Sequence, residues 1–494
     1  MQYRKSISSI LLQGLTLVGF LCLISGAAFA QTVTPATGGG AISADNTGGA
    51  YSTLTGPVYA EAANGNAGVG TIILNAPAGF IFDTGGTAPT VLITRIAGAG
   101  PDTRNINDVA SGTSAAITSI TTTQITFTVT AASSNGVTNS LTWQNVRIRP
   151  TAGTPLASGN ITKTGTSTMA GVTAGVTNFG TLTEVAGALN KLVVVLPGQS
   201  FVTGTGATGA PTSQTASASF TITSITATDQ FFNIVTSYGG AKTLSYSGPG
   251  GTPAYTTAVS FTNGASTTTL TTTLRKAEAT TITVTEGAVS GPASSSLTVN
   301  AGAFTKLQLL VPGETADPGT GSGKTGTPSN HTVGGSFSVT VNAVDADWNL
   351  VSSTHTVGIT SSDPNATLPA NDVLVGGTRN FSVILKTAGP RTLTATNISD
   401  GTKSPSTSPS ITVDPGAFEK LQLLVPGESA DPGSVTGKTG SPTAQTAGTS
   451  FSVTVNAVDA YWNLVSSTNT VQITSSDANA SLPANNALVA GSQT

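Results

Sequence analysis

From Phe337 to Ala343 the chain alternates: Phe337, Val339, Val341 and Ala343 are apolar, and Ser338, Thr340 and Asn342 are polar. A period of two predicts a half-buried β-strand. The pattern breaks at Asp345 and apolar residues resume at Leu350-Val351, so Asp345–Asn349 reads as a turn. The whole stretch Ser336–Ser353 recurs at Ser450–Ser467 with one change, Asp347 to Tyr461. A looser copy, one residue longer, lies at Ser219–Ser237. The repeating unit is therefore strand–turn–strand.

The longer period is set by three matching starts. Gly187-Ala188-Leu189, Gly302-Ala303-Phe304 and Gly416-Ala417-Phe418 each lead to a lysine, an apolar run and Pro-Gly, and the lysines Lys191, Lys306 and Lys420 are 115 and 114 residues apart. Within 302–415 the alternation places strands at Leu307–Val311, Phe337–Ala343, Leu350–Ile359, Phe381–Leu385, Leu393–Ala395 and Ile411–Val413, with turns at Ser361–Asn365 and Gly389-Pro390. Strands roughly ten residues apart in a unit of about 100 residues fit an immunoglobulin-like β-sandwich. No segment shows helical periodicity with caps. We expect repeats at 187–301, 302–415 and 416–494, joined by linkers of a few residues that restrict bending without abolishing it. Shifting by 114 sets Thr494 opposite Asn380, so the third repeat is expected to lack its last strands and to expose unpaired edges and an open core. That expectation reads the chain as the front of a longer polypeptide.

Residues 31–186 carry a different pattern. Gly70–Phe82 reads as a strong strand with a turn at Pro77-Ala78-Gly79, Val91–Ile96 and Gln124–Val129 as further strands, and Leu141–Arg149 as one cleanly alternating strand. This predicts one larger β-sandwich, with 31–55 as a flexible leader. The fold class expected for the chain is all-β: tandem immunoglobulin-like sandwiches behind a larger N-terminal sandwich.

Composition adds a compartment. Arg4 and Lys5, the apolar run Ile10–Ile24 and Ala28-Phe29-Ala30 make a cleavable export signal over 1–30. The only cysteine, Cys22, leaves with it, so neither disulfides nor thiolate metal sites stabilise the mature chain. Charged residues are 8% of the chain and net charge is −3, which excludes the basic surface that nucleic acid requires. No further run is long and apolar enough to insert in a membrane.

Candidate chemistry is sparse. Asp345-Ala346-Asp347-Trp348-Asn349 begins like a calcium loop, but Leu350 stands where an EF-hand has glycine and no glutamate closes the loop. The matching stretches at Asp229–Asn233 and Asp459–Asn463 share Asp, an aromatic and Asn, which fits a self-capping turn with the aromatic covering the sandwich end. Asp317–Thr325 suggests a phosphate loop, but Pro318 occupies the first glycine position and no helix follows, so it reads as a flexible loop. The two histidines, His331 and His355, are replaced by Gln445 and Asn469 in the next repeat, as suits solvated loop positions and not a general base. Glu61, Asp83, Asp102, Asp108 and Glu184 are the first segment's acids after Asp45, a thin supply for a paired-carboxylate site. Trp143 with Arg147 and Arg149 offers a candidate sugar-binding face, although a tryptophan on an alternating strand is more often core. No catalytic, cofactor or metal residue is assigned, and the chain is not expected to be an enzyme.

The pattern A-x-D-x-x-x-N-x-V at Ala343–Val351 and Ala457–Val465, with SSDPNATLP (Ser361–Pro369) and AGPRTLTAT (Ala388–Thr396), resembles the bacterial immunoglobulin-like repeats of invasin- and intimin-type surface proteins. It covers residues 189–494, about 60% of the chain. Members commonly carry glycine before the Asn, where this chain has Phe232, Trp348 and Trp462. The resemblance implies a stalk or spacer role, and export places the chain in the secreted or cell-surface class; a distinct reading makes 31–186 itself a head for an extracellular glycan or protein partner. The alternative is a set of accessory modules of a secreted enzyme whose catalytic domain follows residue 494.

Overall fold

A computed structural model describes residues 32–494. The export signal expected over 1–30, including Cys22, lies outside the described residues. The described chain is all-β, its helical content being three short 3-10 turns at Ala44–Gly48, Asp102–Arg104 and Ile106–Asp108. No helix among the described residues is long and apolar enough to cross a membrane. Contacts divide the chain into two compact units at Ala186/Gly187.

The first unit is built from three sheets. Thr138–Gln144 pairs with Thr90–Ala97 and Val58–Ala60 in a five-stranded sheet, and Gly70–Asn75 lies between Ser158–Thr164 and Gln124–Val129 in a six-stranded one. Val146–Pro150 lies between Ser52–Leu54 and Phe80–Phe82. One core joins them: Ile72, Leu74, Phe82, Ile93, Leu141, Trp143 and Ile148 are buried together. Of the leader expected over 31–55, the described part, 32–55, is not loose: Thr32–Thr34 pairs with Val58–Ala60, and Ala36, Ile42 and Leu54 are buried in that core. Leu141–Arg149 is not one strand either. Asn145 takes a left-handed φ of 58°, and the residues on its two sides belong to different sheets. The apolar period slips by one at this point, from Leu141 and Trp143 to Val146 and Ile148, which is the trace of the break in the sequence.

In the second unit the residues 302–415 form a sandwich. Ser336–Val344 pairs on one side with Lys306–Leu310 and on the other with Thr378–Ile384. The facing sheet carries Thr356–Ser361 beside Leu393–Asn397. Leu307, Leu309, Val339 and Val341 pack between them against Val357, Leu393, Ala395 and Ile411, all buried. Each Leu, Ile or Val among them contributes about 1.5–3 kcal/mol of transfer free energy. Gly389-Pro390 is an edge strand and not a turn: Pro390 lies opposite Thr412, at the border of its sheet where a missing N–H costs nothing. The first repeat is one residue longer because its strand changes sheets at Thr223. Ser219–Ile222 pairs with Leu270–Thr273, while Ser224–Thr228 pairs with Lys191–Val195.

The third repeat keeps the same first sheet, with Lys420–Leu424 on Thr454–Val458, but its core is small: Val455, Ala457 and Leu488. Leu421 and Leu423 are 47% and 44% exposed, against 1% and 0% for Leu307 and Leu309.

The histidines are packed, not solvated. His331 stacks on Phe337 at 3.9 Å, and its Nε2 is buried with no partner among the described residues. His355 meets Phe304 edge-on and bonds Asn397 through Nδ1. Burial holds the His331 imidazole below the usual histidine range. The acid on the neighbouring strand is Asp414, opposite Thr332 and bonded to Asn330. A base whose folded form resists protonation gives stability that is complete above the ordinary histidine range and lost as pH falls. Melting of the second repeat should therefore drop between about pH 7 and pH 5. The His331→Gln variant, which carries the residue found at 445, should flatten that drop; an equal slope in both proteins refutes it.

Candidate functional site

The three Asp–aromatic–Asn turns are the most elaborated polar sites in the second unit. In the second repeat Asp345 is 2% exposed, and its carboxylate accepts four N–H bonds. Oδ1 takes the backbone N–H of Asp347 and Asn349, both at 2.9 Å. Oδ2 takes the linker N–H of Gly302 at 2.7 Å and the Asn349 amide at 2.9 Å. Asp229 and Asp459 hold the same partners, Gly187 and Gly416 included. Donors fill both oxygens, so the carboxylate is a turn clasp and not an open cation ligand. No group of three or more His, Cys, Asp or Glu arranged for a metal occurs among the described residues.

The aromatic departure from the family pattern also has a cause. Phe232, Trp348 and Trp462 have φ of 64°, 69° and 67°, the region glycine adopts without strain. In compensation, each ring lies under the lysine that starts its repeat: Lys191 Nζ is 3.7 Å from the Phe232 centroid, Lys306 3.4 Å from Trp348 and Lys420 3.7 Å from Trp462. The same ammonium donates to the carbonyl two residues before its aromatic. Burial lowers the Lys306 pKa, opposed by the charges of Asp347 and Asp345. The Trp348 ring rests on Gly323 (φ 71°), where an added Cβ would stand 2.1 Å from Cγ. Such a cation–π contact contributes about 0.5–2 kcal/mol. Trp348→Ala keeps the left-handed strain and loses the ring, so it should destabilise the second repeat by about 2–3 kcal/mol. Trp348→Gly should recover about 1 kcal/mol of that. Chemical denaturation gives the order, and Gly below Ala would refute the strain argument.

The Asn side chain does what sequence reasoning missed. It reaches beyond its own turn to the preceding repeat. Asn349 Nδ2 donates to Arg275 O at 2.8 Å, and its Oδ1 accepts from Ala277 N at 2.7 Å. Asn463 does the same to Lys386 O at 2.9 Å and Ala388 N at 2.8 Å. The Lys386–Ala388 edge is itself held by Asp363 of the SSDPN turn, whose carboxylate accepts from Lys386 N, Thr387 N and Thr387 Oγ1. Burial opposes ionisation of Asp363, but these hydrogen bonds win and hold it below the usual carboxylate range.

The loop that looked flexible is part of the same joint. Gly319 N donates to Asp347 O, and Gly319 O accepts both N–H and Oγ1 of Thr252 in the first repeat. Its counterpart Gly433 N donates to Tyr461 O, and Pro432 O accepts from Asn365 Nδ2 and Thr387 Oγ1 in the second. It carries no phosphate-loop geometry. A shallow depression of about 220 Å³ lies at this second joint, between Val333, the linker Gly416–Glu419 and Tyr461.

The candidate sugar face of the first unit is not brought together. Trp143 is fully buried, edge-on to Phe179. Arg147 and Arg149, beyond the Asn145 break, stack on Tyr51 instead, at 5.5 and 5.2 Å. Arg147 pairs with Asp83 at 2.7 Å and Arg149 donates to Thr47 O. The acids are engaged separately: Glu61 accepts from Ala67 N, Ser133 and Asn139 N, Asp102 faces Arg95, and Glu184 accepts from Ala157 N. Burial, against those hydrogen bonds, raises the Glu61 pKa.

No protein-family model and no curated protein matches the sequence. Among solved structures, the chain is similar to the Escherichia coli adhesin FdeC at 14% identity, covering 79% of this chain and 98% of that one, with a TM-score of 0.24. It is similar to the Yersinia pseudotuberculosis adhesin InvE at 15% identity, covering 41% and 57%, with a TM-score of 0.18. Domains 5–6 of the S-layer protein SbsC match at 21% identity, covering 46% and 98%, with a TM-score of 0.15. The chain's own sheets and cores are what make it an all-β array of immunoglobulin-like sandwiches.

Proposed function

We propose that this is an exported surface protein whose repeats, 187–301, 302–415 and 416–494, form a stalk or spacer, with 31–186 as an N-terminal sandwich. The observation that carries the reading is the asparagine clasp, present at both joints with the same two bonds to the preceding repeat. Covalently linked domains move against one another by default unless an interface fixes them. Here the linker N–H, the Asp–Asn turn and the Asp-Pro-Gly loop tie each joint at several points. A tied joint transmits orientation along the array, which is the physical requirement of a spacer. Low charge and the absence of cysteine after the leader suit an extracellular chain held by apolar cores. Its partner is an extracellular glycan or protein, and the chain needs no nucleic acid, cofactor or catalytic centre for this role.

The test is a pulsed dipolar distance measurement on the full chain, with Cys22 replaced and one spin label in each of repeats 1 and 3. A single narrow distribution is expected, and Asn349→Ala with Asn463→Ala should broaden it. A broad distribution in the unsubstituted chain defeats the spacer reading.

A further inference from the structure

The two joints share the clasp, and one of the contacts at which they differ falls on the single residue that distinguishes Ser336–Ser353 from Ser450–Ser467. At the first joint Asp347 accepts from Ser217 Oγ and pairs with Arg275 at 3.1 Å. At the second, Tyr461 takes the place of Asp347 and packs against the core of the preceding repeat, beside Val333. The residue matching Ser217 is Gly334: each lies two before the Ser-Phe that opens the strand, and each donates its N–H to the matching leucine, Leu274 or Leu385. Both have left-handed φ, 62° and 76°. An added Cβ at Gly334 would stand 2.4 Å from Tyr461 Cε2 and 2.8 Å from its hydroxyl. The matched cation changes in step, Arg275 at the first joint and Lys386 at the second.

We propose that these are matched keys that fix the order in which the repeats dock: Ser217 and Arg275 accept Asp347, and Gly334 accepts Tyr461. Near-identical neighbouring repeats offer each clasp two chemically equivalent edges, the condition under which inter-domain misassembly arises. The clasp cannot tell the edges apart, because it reads backbone. The key can. A tyrosine facing Ser217 meets the side chain that Gly334 lacks. An aspartate facing Gly334 loses its hydroxyl partner and the forked guanidinium. The proposal rests on joint geometry and adds pairing specificity to the spacer reading.

The test is a double-mutant cycle in the full chain, with Cys22 replaced and labels on repeats 1 and 2. Asp347→Tyr alone should replace the single narrow distance distribution by a broad one, and adding Ser217→Gly should restore the narrow one. At the second joint, labels on repeats 2 and 3 should show Gly334→Ser broadening the distribution and Tyr461→Asp reversing it. Circular dichroism confirms folding, and the second joint gives an independent reading where Asp347→Tyr unfolds its repeat. Narrow distributions in both single variants, or no restoration in either double variant, overturn the keys. Neither result touches the spacer reading, whose measure is the unsubstituted chain.

Discussion

Asp345→Ala is expected to unfold the second repeat. The substitution strands four donors around a site that is 2% exposed: the N–H groups of Gly302, Asp347 and Asn349, and the Asn349 amide. A buried donor left without a partner costs about 1–3 kcal/mol. Water entering the turn relieves part of that, so the total should be about 4 kcal/mol, a large fraction of the roughly 5–15 kcal/mol that stabilises a domain. Asp345→Asn keeps one acceptor oxygen and turns an NH2 towards N–H groups, so it should fall between alanine and the parent. Hydrogen exchange resolved by segment gives the measurement, with loss of protection over 302–415 and little change before residue 187. A chelator should neither reproduce nor deepen the loss, because the carboxylate is filled by N–H. A change below about 1 kcal/mol, or one that calcium removal mimics, would reject the clasp.

Much of this architecture is legible in the sequence because apolar alternation reports burial directly. The period alone puts Leu307, Val339, Phe381 and Ile411 on strands, and all four are buried. The turn at Asp345 was readable for the same reason, since Asp and Asn spaced by four satisfy local N–H groups. What escaped were the features that depend on a partner distant in sequence. Nothing around Asn349 says that its amide faces Arg275 and Ala277, and nothing around Asp317–Thr325 says that the loop is docked. The signal available was the recurrence itself: Asn and Asp-Pro-Gly return in repeats 2 and 3, while loop positions such as His355 and Asn469 vary. The aromatic in place of glycine was visible, but its meaning needed the lysine that starts the repeat, some forty residues earlier. The single-strand reading fails at Asn145, where the period itself slips by one: Leu141 and Trp143 are apolar before the break and Val146 and Ile148 after it, as a left-handed residue takes the chain to another sheet.

That break decides the second large effect. Trp143→Ala should cost the first unit about 3–5 kcal/mol, the range for removing a large aromatic from a packed core. Trp143 is fully buried among Ile93, Leu141 and Phe179, with the Phe179 ring 6.3 Å away at 88°. Its Nε1 has no hydrogen-bond partner among the described residues. The indole therefore acts through volume and not through its N–H, so Trp143→Phe should lose only about 1–2 kcal/mol. Thermal melting followed at the first unit, by exchange over 32–186, separates the two. On a sugar-binding face the order would be different: alanine would leave the melting point in place and abolish only binding. Arg147→Ala and Arg149→Ala supply the contrast. Both arginines are only part-buried and lean on Tyr51, so losing either should change stability far less than losing Trp143 does. If Trp143→Ala melts with the parent while either arginine variant collapses the unit, the division of this strand between core and surface is wrong.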